Sequence, residues 1–196
     1  MPNADLIAYT REQLKKDVIE LAPGMHCAVG FAASNAHMIE GDETLTIIDT
    51  TESTKAAENI LAEFRKLSDK PVGRIIYTHS HRDHISGATV FSGGSAPIYA
   101  SHLFQSDLIG VDETRIAPNK ALARRTQAQF GIGLTPDERI SLGCGPGDRP
   151  MQGLGAGYLP PSQLVAEDQE IDLDGVVAQF LLCGGETADH MAVWLP

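Results

Sequence analysis

The chain has no excess of positive charge, no cysteine spacing suited to a structural metal and no long apolar run, and each absence removes a class of function. Fifteen Lys and Arg stand against 26 Asp and Glu, a formal charge of −11 over 196 residues. Such a surface repels a phosphate backbone or an anionic membrane face, so nucleic acid is not the expected partner. Cys27, Cys144 and Cys183 are odd in number, far apart and without a CxxC pair. Neither a disulfide framework nor a zinc ribbon is indicated, and a reducing compartment fits. No apolar run approaches the roughly 20 residues that a membrane-spanning helix needs. The start, Met1-Pro2-Asn3-Ala4-Asp5, lacks the basic and apolar regions of an export signal. The expected location is therefore the cytoplasm, or the periplasm or exterior if a signal has been removed before residue 1.

What is present suffices for one core. Hydrophobic residues make up 42% of the chain, and this length favours a single domain. Leu6, Leu14, Val18 and Leu21 recur at helical spacing and predict an amphipathic leading helix over 6–21. Two strand-like runs, 35–39 and 44–49, flank Glu40-Gly41-Asp42-Glu43, which suits a hairpin. Residues 53–67 put Ala56, Ile60, Leu61, Phe64 and Leu67 on one helical face, with Ser53 as N-cap and Lys70-Pro71 as the stop. A strand over 72–78 leads to a helix start at 83–88. Further on, the pattern predicts a short strand at 97–100 and a helix over 119–130 carrying Arg124 and Arg125. Residues 131–163 form a glycine-rich excursion, a loop rather than core and a candidate lid or subunit contact. Strands follow at 170–173 and 176–182, and a buried strand at 191–195. Strand, helix and strand in alternation, seeded by a hairpin, indicate a layered α/β domain with mixed sheets.

The segment that carries chemistry is His79-Ser80-His81-Arg82-Asp83-His84. Imidazole nitrogen and carboxylate oxygen are ligands zinc takes, and four of them in one turn imply a metal centre of two ions. On an extended exit from a strand, side chains two apart point the same way. His79 and His81 can therefore close on one ion, while Asp83 and His84, at a helix start, point to a second. A zinc pair would add four positive charges locally and favour an anionic substrate despite the acidic total.

This HxHxDH segment after a sheet strand resembles the signature of the metallo-β-lactamase superfamily. Ile47-Ile48-Asp49-Thr50 resembles that family's early strand ending in Asp, and residues 184–196 resemble its third motif. That family usually has His where this chain has Glu186; a glutamate there is similar to the alkylsulfatase branch, as are residues 35–49 and the stretch Phe130-Gly131-Ile132-Gly133-Leu134. The resemblance implies an αββα sandwich, of which this chain supplies the first half and part of the second, as one domain over 1–196 that is incomplete at its C-terminus. It implies a first zinc on His79, His81 and Glu186 and a second on Asp83 and His84, with Asp83 also the catalytic residue. The family's bridging acid and further histidine would come from later strands.

The implied activity is hydrolysis of alkyl sulfate esters by a metal-bound hydroxide, with attack on carbon or on sulfur left open. Two other readings stand beside it. One is the same fold acting on a thioester, lactone or β-lactam; the other is a non-catalytic half-domain that needs a partner, either a second copy or a complementing C-terminal part. Asp49 is read either as the acid that orients a ligand histidine or as a helix N-terminal acid. His190 reads as a structural histidine, Cys183 as a small buried residue at a strand end, and His26, His37 and His102 receive no function.

Overall fold

The computed structural model describes residues 3–105 apart from 14, residues 152–196 apart from 154 and, between these, 124, 127–129, 131, 133–135, 138, 141 and 144. Two sheets and a set of helices make three layers. The first sheet has seven strands in chain order: β1 (Asp17–Ala22), β2 (Met25–Val29), β3 (Ala36–Glu40), β4 (Leu45–Ile48), β5 (Val72–Ile76), β6 (Ile98–Ser101) and β7 (Gln163–Val165). Its first four strands form an antiparallel meander, and β4 to β7 run parallel. The second sheet is antiparallel, in the order β10 (Met191–Trp194), β9 (Val177–Leu182), β8 (Gln169–Asp172).

Period-two alternation sets the layers. Met38, Leu45, Ile47, Ile75, Tyr77, Ile98 and Ala100 point to one face of the large sheet, against Ala57, Ile60 and Phe64 of helix α2 (Thr54–Phe64) and against the short helices α3 (Arg82–Ile85) and α4 (Ala88–Ser92). Ile39, Ile48, Ile76 and Val165 point the other way and meet Leu173, Ala178, Phe180 and Met191 from the small sheet. That order, helix then sheet then sheet, is the expected sandwich up to its second sheet. Ser53 caps α2 as expected, its hydroxyl accepting from Ala56 N at 3.2 Å.

Three expectations need correction. The leading helix α1 ends at Gln13 (Ala4–Gln13), and from Asp17 the chain runs as β1; Leu14 lies outside the described residues. Helix α1 buries only Thr10 and leaves Leu6 and Tyr9 exposed, so it has no apolar face to extend, whereas Val18 and Ile19 gain a full ladder against Ala28 and Cys27. Pairing overrides the helical spacing. The last strand is an edge rather than a buried strand: Met191 is buried, but Trp194 is 56% exposed. And the glycine-rich excursion ends a residue early, with Gln163 already paired to Tyr99. Its described returning leg is seated on the helices. Gln152 O accepts from Lys55 N and Gly157 O from Thr89 N, and a Cβ on Gly157 would lie 2.6 Å from Ser86 O. Of the expected helix over 119–130, Arg124 and residues 127–129 are helical; the rest, Arg125 included, lies outside the described residues.

Candidate metal centre

Parallel pairing of β4 and β5 ends with Ile48 beside Ile76, so the residues that follow each strand emerge together at the C-terminal edge of the sheet, where open α/β sheets place their chemistry. Asp49 turns with φ 60° and Thr51 with φ 66°, a left-handed conformation that Asp tolerates and a β-branched residue resists. The turn is held by the backbone of α3: Thr50 N donates to His84 O at 2.6 Å and Ser86 N to Thr51 O at 2.9 Å. Asp49 is thereby buried and aimed at Thr78, whose N–H and hydroxyl donate to its two oxygens at 2.8 Å each. The Thr78 carbonyl in turn accepts from Met191 N at 2.8 Å. One threonine thus ties β4, the histidine segment and the start of β10, and so brings the loop holding Glu186 over the histidines.

His79 is buried, with its side chain 2% exposed. Its Nδ1 lies 2.9 Å from Thr78 Oγ1. Because that hydroxyl already gives its proton to the Asp49 carboxylate, it accepts from His79 Nδ1–H, which leaves Nε2 with the lone pair. That Nε2 is buried without a hydrogen-bond partner and stands 4.0 Å from Glu186 Oε2, while His81 Nδ1 stands 3.6 Å from Glu186 Oε1. Ligand atoms of His79, His81 and Glu186 all lie within 4.8 Å of one another. A buried lone pair facing a carboxylate with no proton between them is an arrangement a cation satisfies, and the donor set suits zinc. Burial, and after it the neighbouring His84 and His190 rings, pushes the His79 imidazole down to about 4. It is neutral at pH 7 and able to ligate without losing a proton.

Asp83 and His84 are arranged differently. His84 Nδ1 donates to Asp49 Oδ2 at 2.6 Å, and its Nε2 is 3.4 Å from Asp83 Oδ2. Burial works against the imidazolium, but the hydrogen bonds to Asp49 and Asp83 outweigh it and lift His84 to about 10. Burial is the largest single influence on Asp83 and raises it, but the hydrogen bond and charge of His84, a backbone hydrogen bond and the charge of His81 together outweigh burial and lower it. Among the described residues, no third ligand closes on this pair within the same distance. The His84 ring is still only 4.1 Å from that of His79, centroid to centroid, so the two ligand groups adjoin.

The structure therefore brings His79, His81 and Glu186 together and sets Asp83 and His84 beside them. Asp49 faces His84 from behind; α2 begins only at Thr54, so it is no helix N-terminal acid. His190 was not singled out for the site, yet its ring stacks on His79 at 4.1 Å and 16°. Cys183 is exposed, not buried.

Residues 29–196 match the sequence profile of the Metallo-beta-lactamase superfamily. The chain belongs to that superfamily. Within it, the similarity runs to alkylsulfatases. A linear primary-alkylsulfatase of Pseudomonas sp. (strain ATCC 19151) is 32% identical over 81% of this chain and 30% of its own length. An alkyl/aryl-sulfatase of Saccharomyces cerevisiae is 34% identical over 85% of this chain and 27% of its own. The solved structure of a stereoselective inverting sec-alkylsulfatase of Pseudomonas sp. superposes with a TM-score of 0.68 at 25% identity, covering 92% of this chain and 30% of that one. This chain of the metallo-beta-lactamase superfamily thus spans less than a third of the length of these alkylsulfatases.

Proposed function

We propose that this chain holds the metal-binding part of a zinc-dependent hydrolase of alkyl sulfate esters. The observation that carries the reading is Glu186: a carboxylate, not an imidazole, facing His79 and His81 in a chain whose relatives are alkylsulfatases. His79, His81 and Glu186 would hold a first zinc, and Asp83 and His84 a second. Bound there, zinc would supply an activated water and charge stabilisation at the ester. The chain's own part is orientation. Thr78 fixes the tautomer of His79, Asp49 that of His84, and Asp83 presents a carboxylate, held ionised, at the edge of both groups.

The test is release of inorganic sulfate from dodecyl sulfate by the zinc-loaded protein, with chelation as control. Sulfate release that stops on chelation is expected. Hydrolysis of a thioester, lactone or β-lactam without sulfate release would overturn the substrate and keep the fold. A second reading rests on the lone Asp83 and His84 pair: the chain alone retains one ion and takes the remaining ligands from a complementing part or a second copy. Metal content measured together with solution mass separates these readings, since a stable monomer holding two zincs is incompatible with the second.

A further inference from the structure

His190 comes from the far end of the loop that joins β9 to β10, and its ring lies flat on His79, centroids 4.1 Å apart and planes at 16°. The loop is wound around it. Thr187 N points at His190 Nδ1 at 3.5 Å, His190 N donates to Thr187 O at 3.4 Å, and Gly185 N donates to the same carbonyl at 3.0 Å. Gly185 lies so close that a Cβ there would be 2.9 Å from the ring. Glu186 follows directly. One imidazole therefore bears on two of the three ligands of the proposed first metal: it covers the flat face of His79 and packs into the turn, through Gly185 and Thr187, from which Glu186 projects. The single hydrogen bond from Nδ1 to Thr78 fixes one edge of the His79 ring; His84 and His81 meet it at tilted angles of 50° and 68°, and His190 is the ring that lies nearly parallel to it.

We propose that His190 is a positioning residue that aims His79 Nε2 and Glu186 at a common cation, acting through the flat of its ring and not as a ligand. The inference rests on the metal reading above and adds to it a device from outside the histidine segment. A flat ring against an imidazole limits tilt as a packed wall does. Glycine at 185 is what lets that wall approach.

Cobalt(II) titration of the full chain, followed by visible absorption, tests it. His190→Ala should weaken the first cobalt equivalent by about ten- to a hundredfold, the range for groups that orient a ligand from behind, and alter the absorption envelope. His190→Phe, which keeps a flat ring, should restore most of that affinity. Gly185→Ala should weaken binding in the native background and add little in the His190→Ala background, since the ring it displaces is already gone. Native affinity and an unchanged spectrum in folded His190→Ala would overturn the inference, as would additive losses in the double variant. A native chain that takes up no cobalt would sink the metal reading itself, a different result from uptake that is indifferent to His190.

Discussion

The two halves of the histidine segment stand within touching distance and are prepared for metal in opposite ways. His79 and His81 follow β5 across a bend at residues 78–80, meet a carboxylate from the other sheet, and present a buried nitrogen that is already deprotonated at pH 7. Asp83 and His84 sit on the first turn of α3, and His84 is bound as an imidazolium between two carboxylates. Sequence order places the four in one motif. What separates them is the neighbour each imidazole has been given: a threonine hydroxyl for His79, an aspartate for His84. A hydroxyl fixes the tautomer without stabilising a charge, whereas a carboxylate does both.

The harshest way to break this comparison is to remove the ready half. His79→Ala deletes the buried nitrogen and leaves His81 and Glu186 as a pair. Zinc affinity of the tighter site should fall by more than about a hundredfold, beyond the range for groups that touch a ligand only from behind; competition against a chromophoric chelator measures it. Retention of full affinity would mean that the two ligand groups have been assigned the wrong way round.

Changing Asp49 sharpens the comparison instead. In the native chain, zinc must displace a proton from His84 to reach Nε2, so the affinity of the Asp83 and His84 pair should rise about tenfold per pH unit between 7 and 9. No such cost applies at His79, which is neutral above about 4. Asp49→Asn removes the charge that holds the proton. The slope should flatten, while the limiting affinity at high pH drops by about ten- to a hundredfold because the ring is less firmly oriented. The metal-free chain offers a check on sign. A histidine raised to about 10 in the fold gives its stabilisation in full below its unfolded value of roughly 6.5, and loses it as pH rises through 10. Thermal midpoints should therefore decline from pH 7 to 10 in the native chain and stay flatter in Asp49→Asn.

How far this site could be read in the sequence depended on distance along the chain. The strand before HxHxDH and the cap at Ser53 are local features, governed by side-chain direction and hydrogen bonds a few residues apart; the cap stands as read, and the strand is present but ends at Ile76, giving way to a bend at 78–80 instead of running on to 78. Glu186 was reachable only through family resemblance, since nothing in Gly184-Gly185-Glu186 states that Met191 N will bond Thr78 O and bring the loop over the histidines. His190 had no signal of its own. One imidazole at a strand entry reads as structural until the second sheet is placed, and its meaning lies in the ring it meets. The leading helix failed for a related reason: Val18 and Leu21 fit a helical spacing, but the free energy lay in a ladder with β2, whose short Met25–Val29 run was not anticipated.

The gentlest test separates the halves mechanically. Gly87 follows the C-cap of α3 and opens α4, and a Cβ placed there would lie 2.2 Å from Thr50 O and 2.5 Å from the Ala57 Cβ. Neither a backbone carbonyl nor a methyl on a packed helix can swing aside, so Gly87→Ala must push α3 away from the turn at residues 49–51. That movement strains the bonds from Thr50 N to His84 O and from Gly87 N to Thr50 Oγ1, the same contacts that hold His84 against Asp49. Overpacking of this kind costs about 1–3 kcal/mol, measurable by urea denaturation. Because His79 and His81 leave directly from β5 and precede the helix, their group should keep its zinc affinity while the Asp83 and His84 pair weakens. Gly93→Ala is the control for strain away from the site: its added methyl meets nothing within 4 Å, its left-handed backbone at φ 55° costs stability, and both groups should keep their zinc affinity. Equal weakening at both groups in Gly87→Ala would show that the segment moves as one body, and that the different preparation of its halves reflects charge alone.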